Sequence, residues 1–148
     1  PLDRYAREQL FAPLGIRELW WEKDAAGNVL AYYGLGLGGR DLARLGLLML
    51  AGGAHGGAQI LPREWVRRSI RPGLKRFPRM GLLWWLRPDG SFNANGWQGQ
   101  VLAVHPAHKL VVVRQRRPYT YTEQENRRYG MWRLFELAGR LVAKRGAP

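Results

Sequence analysis

The run from Ser91 to Arg114 constrains the fold more than any other part of the chain. It reads Ser-Phe-Asn-Ala-Asn-Gly-Trp-Gln-Gly-Gln-Val-Leu-Ala-Val-His-Pro from Ser91 to Pro106 and resumes with Lys-Leu-Val-Val-Val-Arg from Lys109. The pattern predicts a strand, a glycine-rich turn, and then the two strands of a hairpin, Gln98 to Val104 and Leu110 to Arg116, joined by a turn over Pro106 to Lys109. Gly96 and Gly99 leave space for another backbone to come close and permit a positive φ that other residues resist. Upstream, Met80 to Leu86 reads as a further strand, turned by Pro88-Asp89-Gly90.

The rest of the chain reads as helix and loop. Leu2, Tyr5, Ala6, Gln9 and Leu10 follow the i, i+3, i+4, i+7, i+8 spacing of a short amphipathic helix that Pro13 stops. Two short extended pieces are expected within Trp20 to Tyr33, around the turn signal Ala26-Gly27-Asn28. Asp41 to Ala51 reads as a buried helix ended by Gly52-Gly53. Pro62 suits the first position of a helix running to Ile70, because its missing N–H would have no partner there. Gly73 to Arg79 is a basic loop. Glu123 to Arg145 reads as a closing helix whose apolar stripe, Met131, Leu134, Phe135, Ala138, Leu141 and Val142, is expected to pack on the strands. The fold class is therefore α+β, one partial domain over residues 1–148. It comprises a helical and loop region 1–79, strand hairpins 80–117 and a C-terminal helix 123–145.

The Ser91–Pro106 segment resembles the third motif of the serine β-lactamase superfamily, which includes class C β-lactamases, D-alanyl-D-alanine carboxypeptidases and related esterases and amide hydrolases. In the most similar branch that motif reads Ala-x-Gly-x-Gly-Gly-Gln. Further segments resemble the same family in the same order. They are Leu10-Phe11-Ala12-Pro13-Leu14-Gly15-Ile16, a Trp20/Trp21, Asp24, Gly27 run, Gly34-Leu35-Gly36-Leu37, Arg40 to Gly46, Gln59 to Val66, and Gly81-Leu82-Leu83-Trp84-Trp85. The fold this implies is the C-terminal part of a β-lactamase/transpeptidase-like fold, with antiparallel strands flanked by helices.

The family's chemistry uses a Ser-x-x-Lys nucleophile motif, in which the lysine one helical turn away helps take the serine proton, and a Tyr-x-Asn motif. Neither occurs here. The serines are Ser69 and Ser91, followed three positions later by Pro72 and Ala94. In the family both motifs precede the segment that Leu2 to Ile16 resembles. The expectation is thus the C-terminal portion of a longer serine hydrolase, inactive alone, whose partner is the missing N-terminal part of the same enzyme.

The resemblance implies the site residues. Ala94-Asn95-Gly96 lies where class C enzymes carry Lys-Thr-Gly, so the cation that steadies a substrate carboxylate is replaced by Ala94, as in the esterase-like branch. Trp97 follows the motif glycine, and its backbone N–H matches half of the family's oxyanion hole. Gln98, Gly99 and Gln100 complete the substrate-binding set, the two glutamines either bracing the turn or facing the cleft. The substrate implied is a small-molecule ester or amide. Trp20-Trp21 and Trp84-Trp85 could each give one residue to an apolar pocket and one to the core, since adjacent strand residues face opposite sides.

Composition narrows the alternatives. A chain of 148 residues with 46% hydrophobic content and 7 Trp is no disordered tail. It can bury roughly two-thirds of its unfolded surface. No apolar run reaches the ~20 residues of a membrane span. There is no Cys, hence no disulfide or thiolate metal site, and His55, His105 and His108 lack metal-ligand spacing, so no metal or cofactor is expected. The formal charge of +13 raises a second function class, a basic module binding nucleic acid or anionic glycan. The arginines are scattered, with only Arg114-Arg116-Arg117 and Arg127-Arg128 clustered and neither in a reading motif, so nucleic acid is not the expected partner. A degenerate, non-catalytic relative is a third class. Asp24 and Asp41 read as a turn residue and a helix-start residue rather than an acid pair.

Overall fold

A computed structural model describes residues 1–116 and 130–145. The fold is α+β. Helix α1 (Leu2–Ala6) runs into a π-turn, Arg7–Phe11, and is followed by the hairpin β1 (Leu19–Trp21) and β2 (Leu35–Leu37). Next come helix α2 (Gly39–Leu50), a small hairpin of β3 (Ala54–His55) and β4 (Ala58–Gln59), and helix α3 (Arg63–Ser69). An antiparallel sheet then forms in the order β5 (Trp85–Leu86), β6 (Phe92–Gly96), β7 (Gln100–His105), β8 (Leu110–Arg114), and helix α4 (Met131–Arg145) follows.

The N-terminal segment departs from a regular helix. The N–H of Ala12 donates to the carbonyl of Arg7 at 2.9 Å, an i→i+5 closure. The wider turn coincides with the burial of Phe11, which joins Leu14, Ile16, Ala6 and Leu48 of α2 in one apolar cluster. Each large side chain so buried contributes about 1.5–3 kcal/mol. Helix α2 serves two cores at once. Leu48 faces this cluster, while Gly46 lies against Val111 of β8 and Leu102 of β7. A Cβ on Gly46 would stand 2.5 Å from Val111 Cγ1 and 2.8 Å from Leu102 Cδ1, so the missing side chain is what lets the helix approach the sheet.

Several expected boundaries shift for identifiable reasons. Only Trp85–Leu86 of the expected Met80–Leu86 strand enters the sheet. Leu83 has φ +64°, and the N–H of Gly81 donates to the carbonyl of Trp84 at 2.8 Å, so the chain turns there. The expected Gln98–Val104 strand starts two residues later because Trp97–Gly99 form a 3₁₀ turn, and β8 ends at Arg114 rather than Arg116. Near the front of the chain the turn falls on Asp24 to Asn28, as the sequence indicates, but the strand that pairs with β1 is Leu35–Leu37, beyond the expected span. Pro62 caps α3 from outside instead of opening it.

Helix α2 lies against β7 and β8, and the C-terminal helix, which the sequence expects on the strands, lies beside the same sheet. Helix α4 lies alongside β8, with Leu134, Leu137, Ala138, Leu141 and Val142 facing Leu110–Val113 across a cavity of about 450 Å³. Residues 123–129 of the expected closing helix, Arg117, the Arg127-Arg128 cluster and the side chains of Met131 and Phe135 lie outside the described residues. Among the described residues no helix is long and apolar enough to cross a membrane.

Candidate functional site

The turn between β6 and β7 is where the singled-out residues meet. The two strands pair in register from Phe92↔Val104 to Gly96↔Gln100. Pairing stops at Gly96, Trp97–Gly99 make the 3₁₀ turn, and the N–H of Gln100 donates back to the carbonyl of Trp97. The two glycines do different jobs. Gly99 has φ +84°, the left-handed region that other residues enter only at a cost. Gly96 is extended, with φ −105°, so it needs no positive φ. Its role is clearance, since a Cβ there would lie 2.9 Å from the Cβ of Gln100.

Alternation along β6 places Ala94 and Gly96 on one face of the sheet and Asn93 and Asn95 on the other. Ala94 is half-buried, while Asn95, Gly96 and Trp97 are open to solvent, Trp97 being 85% exposed. As the first residue of the 3₁₀ turn, Trp97 has a backbone N–H with no partner inside that turn. The side chain of Gln98 lies outside the described ones.

Two side-chain devices anchor the turn to β8. The Gln100 amide donates from Nε2 to the carbonyl of Arg116 at 2.7 Å and accepts the Arg116 N–H on Oε1 at 2.8 Å. It thus mimics a peptide group and adds a rung beyond the end of the β7–β8 ladder. The guanidinium Nε of Arg114 donates to the carbonyl of Gly99 at 2.9 Å. In the sequence Arg114 reads as a strand residue and as part of a basic cluster, not as part of the site. The signal for its position is the strand register, which sets Arg114 opposite Val101, two residues past Gly99.

Beside this turn, on the Asn93/Asn95 side of β6, lies a cavity of about 400 Å³ lined by Arg79, Trp85, Leu86, Arg87, Pro88, Asn93 and Asn95. Asn93 is buried and its Nδ2 donates to Asn95 Oδ1 at 2.7 Å, which fixes how the middle residue of Ala94-Asn95-Gly96 faces the cavity. Trp85 lines the cavity while Trp84 packs edge-on against Phe92, ring centroids 5.0 Å apart. Trp20 is likewise exposed and Trp21 half-buried, so both pairs split as alternation requires. A larger cleft of about 910 Å³ lies on the other side of the turn, between β1–β2, the start of α2, and Gln100, Gln115 and Arg116.

Neither serine is placed to act as a nucleophile. Ser69 is buried and donates its hydroxyl to the carbonyl of Val66 at 2.9 Å, and Ser91 is buried and donates to Asp89 Oδ1 at 2.6 Å. Ser91, Asp89 and His105 are close together but not as a Ser-His-Asp relay: the Ser91 hydroxyl donates to the carboxylate rather than to an imidazole that would take its proton. His105 Nε2 is 3.7 Å from Asp89 Oδ2, too far for a hydrogen bond, and the His105 and His108 rings lie tilted by 43° with centroids 4.3 Å apart. Burial and the neighbouring His108 hold the His105 pKa below its ordinary value. At Asp89, burial pushes the carboxyl up, but hydrogen bonds from the Ser91 hydroxyl and N–H, with Arg87 and His105 nearby, bring it below the usual range.

Asp24 accepts the N–H groups of Ala26 and Asn28 in its turn, and Asp41 sits in the first turn of α2. The two acids hold separate structural posts. The described residues contain no group of three potential metal ligands.

The described architecture has counterparts among solved structures. It superposes on a provisionally assigned 6-aminohexanoate-dimer hydrolase from Bacillus anthracis with a TM-score of 0.76, 24% identity, and coverage of 92% of this chain and 37% of that one. A provisionally assigned β-lactamase from Bacteroides dorei DSM 17855 matches with a TM-score of 0.56, 19% identity, and coverage of 74% of this chain and 42% of that one. The matched part of this chain thus covers less than half the length of either neighbour. Both likenesses establish the fold. The family model Beta-lactamase matches residues 1–130, most of the chain, and with the ordered series of motif segments it shows that this chain belongs to the β-lactamase family.

Proposed function

We propose that residues 1–148 form the C-terminal part of a serine hydrolase that transfers the acyl group of an ester or amide through an acyl-serine. In this reading β6 is the substrate-binding strand and the N–H of Trp97 is one of two oxyanion donors. Such a donor contributes about 10²–10³ in rate when it is aimed at the developing charge. The observation that carries the reading is the solvent-facing Gly96–Trp97 corner, which has an Asn95-lined cavity beside it and no accessible serine in the chain.

The chemistry divides between two segments. This chain supplies the strand edge, Asn95 and the Trp97 N–H. The serine, its lysine and the tyrosine would come from a segment carrying Ser-x-x-Lys and Tyr-x-Asn: the serine oxygen would take the acyl group as the substrate's C–O or C–N bond breaks, the alcohol or amine would leave with the serine proton, and water would then cleave the acyl-serine to the free acid. With Ala94 in place of a cation, a substrate without a carboxylate at that point is favoured. Trp85 and Leu86 offer apolar surface to its acyl group. The B. anthracis neighbour, assigned as a hydrolase, is consistent with this assignment.

A fluorophosphonate probe tests the reading. A longer protein containing these residues should be labelled on a serine outside residues 1–148, with loss of ester turnover, while residues 1–148 alone stay unlabelled. Labelling of Ser69 or Ser91 would overturn the assignment.

A further inference from the structure

We propose that Arg114 is a positioning residue for the oxyanion strand. This rests on the reading of Trp97 given above and extends it to a side chain that touches no substrate. Three observations carry it. The Nε of Arg114 donates to the Gly99 carbonyl at 2.9 Å, closing the turn that opens with Trp97. Gly99 carries the positive φ on which the turn's shape depends, and a Cβ there would run into the Arg114 guanidinium, so the glycine also makes room for the clamp. Gln100, the next residue, is held at both ends of its amide by the Arg116 backbone.

The consequence follows from hinge geometry. Gly96 has no side chain and sits where the β6–β7 ladder ends, and Gly99 samples both signs of φ freely in an unanchored chain. A short turn that follows one such residue and ends on the other would reorient its first N–H readily. Two anchors remove that freedom: the guanidinium holds the Gly99 carbonyl and the Gln100 amide holds the strand behind it. Both draw on the end of β8, whose register is fixed by five pairs with β7 from Val101↔Arg114 to His105↔Leu110. The strand after the turn therefore aims an N–H on the far side of it. A guanidinium suits the task because it stays charged at any working pH and presents N–H groups in a fixed fork.

The test uses Arg114→Ala, Arg114→Lys and Gln100→Ala, with circular dichroism to confirm folding. Amide hydrogen exchange of residues 1–148 is the first readout. Arg114→Ala should speed exchange at Gly99 and Gln100 about 10-fold or more, with Leu102 and Val104 unchanged, and Arg114→Lys should recover part of the protection. Unchanged exchange at those two amides in a folded Arg114→Ala overturns the proposal. If Arg114→Ala does not fold, the same comparison in Arg114→Lys and Gln100→Ala decides it.

In a longer, active protein the second readout is the split between kcat and KM. Arg114→Ala should lower kcat about 10-fold or more with KM within about twofold, as expected for a donor moved off its target. A raised KM with kcat intact would overturn positioning in favour of direct substrate binding. Should a folded Trp97→Pro enzyme keep full turnover, the oxyanion reading itself fails, and the exchange result still reports whether Arg114 clamps the turn.

Discussion

Replacing Gly46 by alanine sets two effects of opposite sign against each other. In a helix interior, alanine is favoured over glycine by about 1 kcal/mol. At this position the new methyl would lie 2.5 Å from Val111 Cγ1 and 2.8 Å from Leu102 Cδ1. Carbon atoms prefer ~3.5–4.0 Å, so the overlap is about 1 Å. Leu102 can swing its terminal methyl away, but Val111 is β-branched and stiff at χ1, and β8 is tied to β7 along its length. Overpacking of this kind costs about 1–3 kcal/mol, which exceeds the helix gain. The expected net is a loss of up to about 2 kcal/mol, or about 4–8 °C in Tm at the upper end for a chain of this size. Gly139→Ala in α4 is the control, because no atom lies within 4 Å of its Cβ position, and it should gain up to about 1 kcal/mol. Urea unfolding followed by both tryptophan fluorescence and circular dichroism measures both. If Gly46→Ala were more stable than the parent while Gly139→Ala behaved as expected, α2 would not press on β7 and β8 as described.

Other consequences follow from the site. Gly99→Ala forces a φ of +84° on a residue with a Cβ and drives that Cβ toward Arg114, so urea unfolding should show a loss of at least about 1–2 kcal/mol. The folded-state pKa of His105 is below its unfolded value, so the unfolded chain binds the proton first; stability is fully present above pH 6.5 and falls as the pH drops below it. His105→Gln should flatten that part of the urea-midpoint profile, and an unaltered slope would place the titration elsewhere. The depressed pKa of Asp89 adds a further loss at lower pH, below its ordinary 3.8, which Asp89→Asn should remove. Binding to duplex DNA should be weak, sequence-independent and lost at moderate salt, as a fluorescence-anisotropy titration would read.

The sheet was legible where alternation and turn chemistry agreed. Gly96, Gly99, Pro106 and Lys109 punctuate β6, β7 and β8 closely enough that only the ends moved by a residue or two. Met80 to Leu86 misled because its apolar content suits a strand, while Leu83 adopts a left-handed φ that a leucine in sequence gives no reason to expect. The role of α2 was hidden for a similar reason. Gly46 looks like a weak point in a helix, and only the sheet's position shows that its missing side chain permits contact. Within the site, the order of Ala94, Asn95, Gly96 and Trp97 could be read directly. The Arg114 and Gln100 anchors could not, because each depends on a cross-strand register that local sequence does not specify.

A crystal structure of a longer active protein trapped with a phosphonate on its serine would show whether the Trp97 N–H holds the oxyanion. A phosphonyl oxygen about 3 Å from the Trp97 nitrogen, with Asn95 beside the bound group, is the expected result. A phosphonyl oxygen held by other donors, with the Trp97 N–H turned away from it, would overturn the assignment.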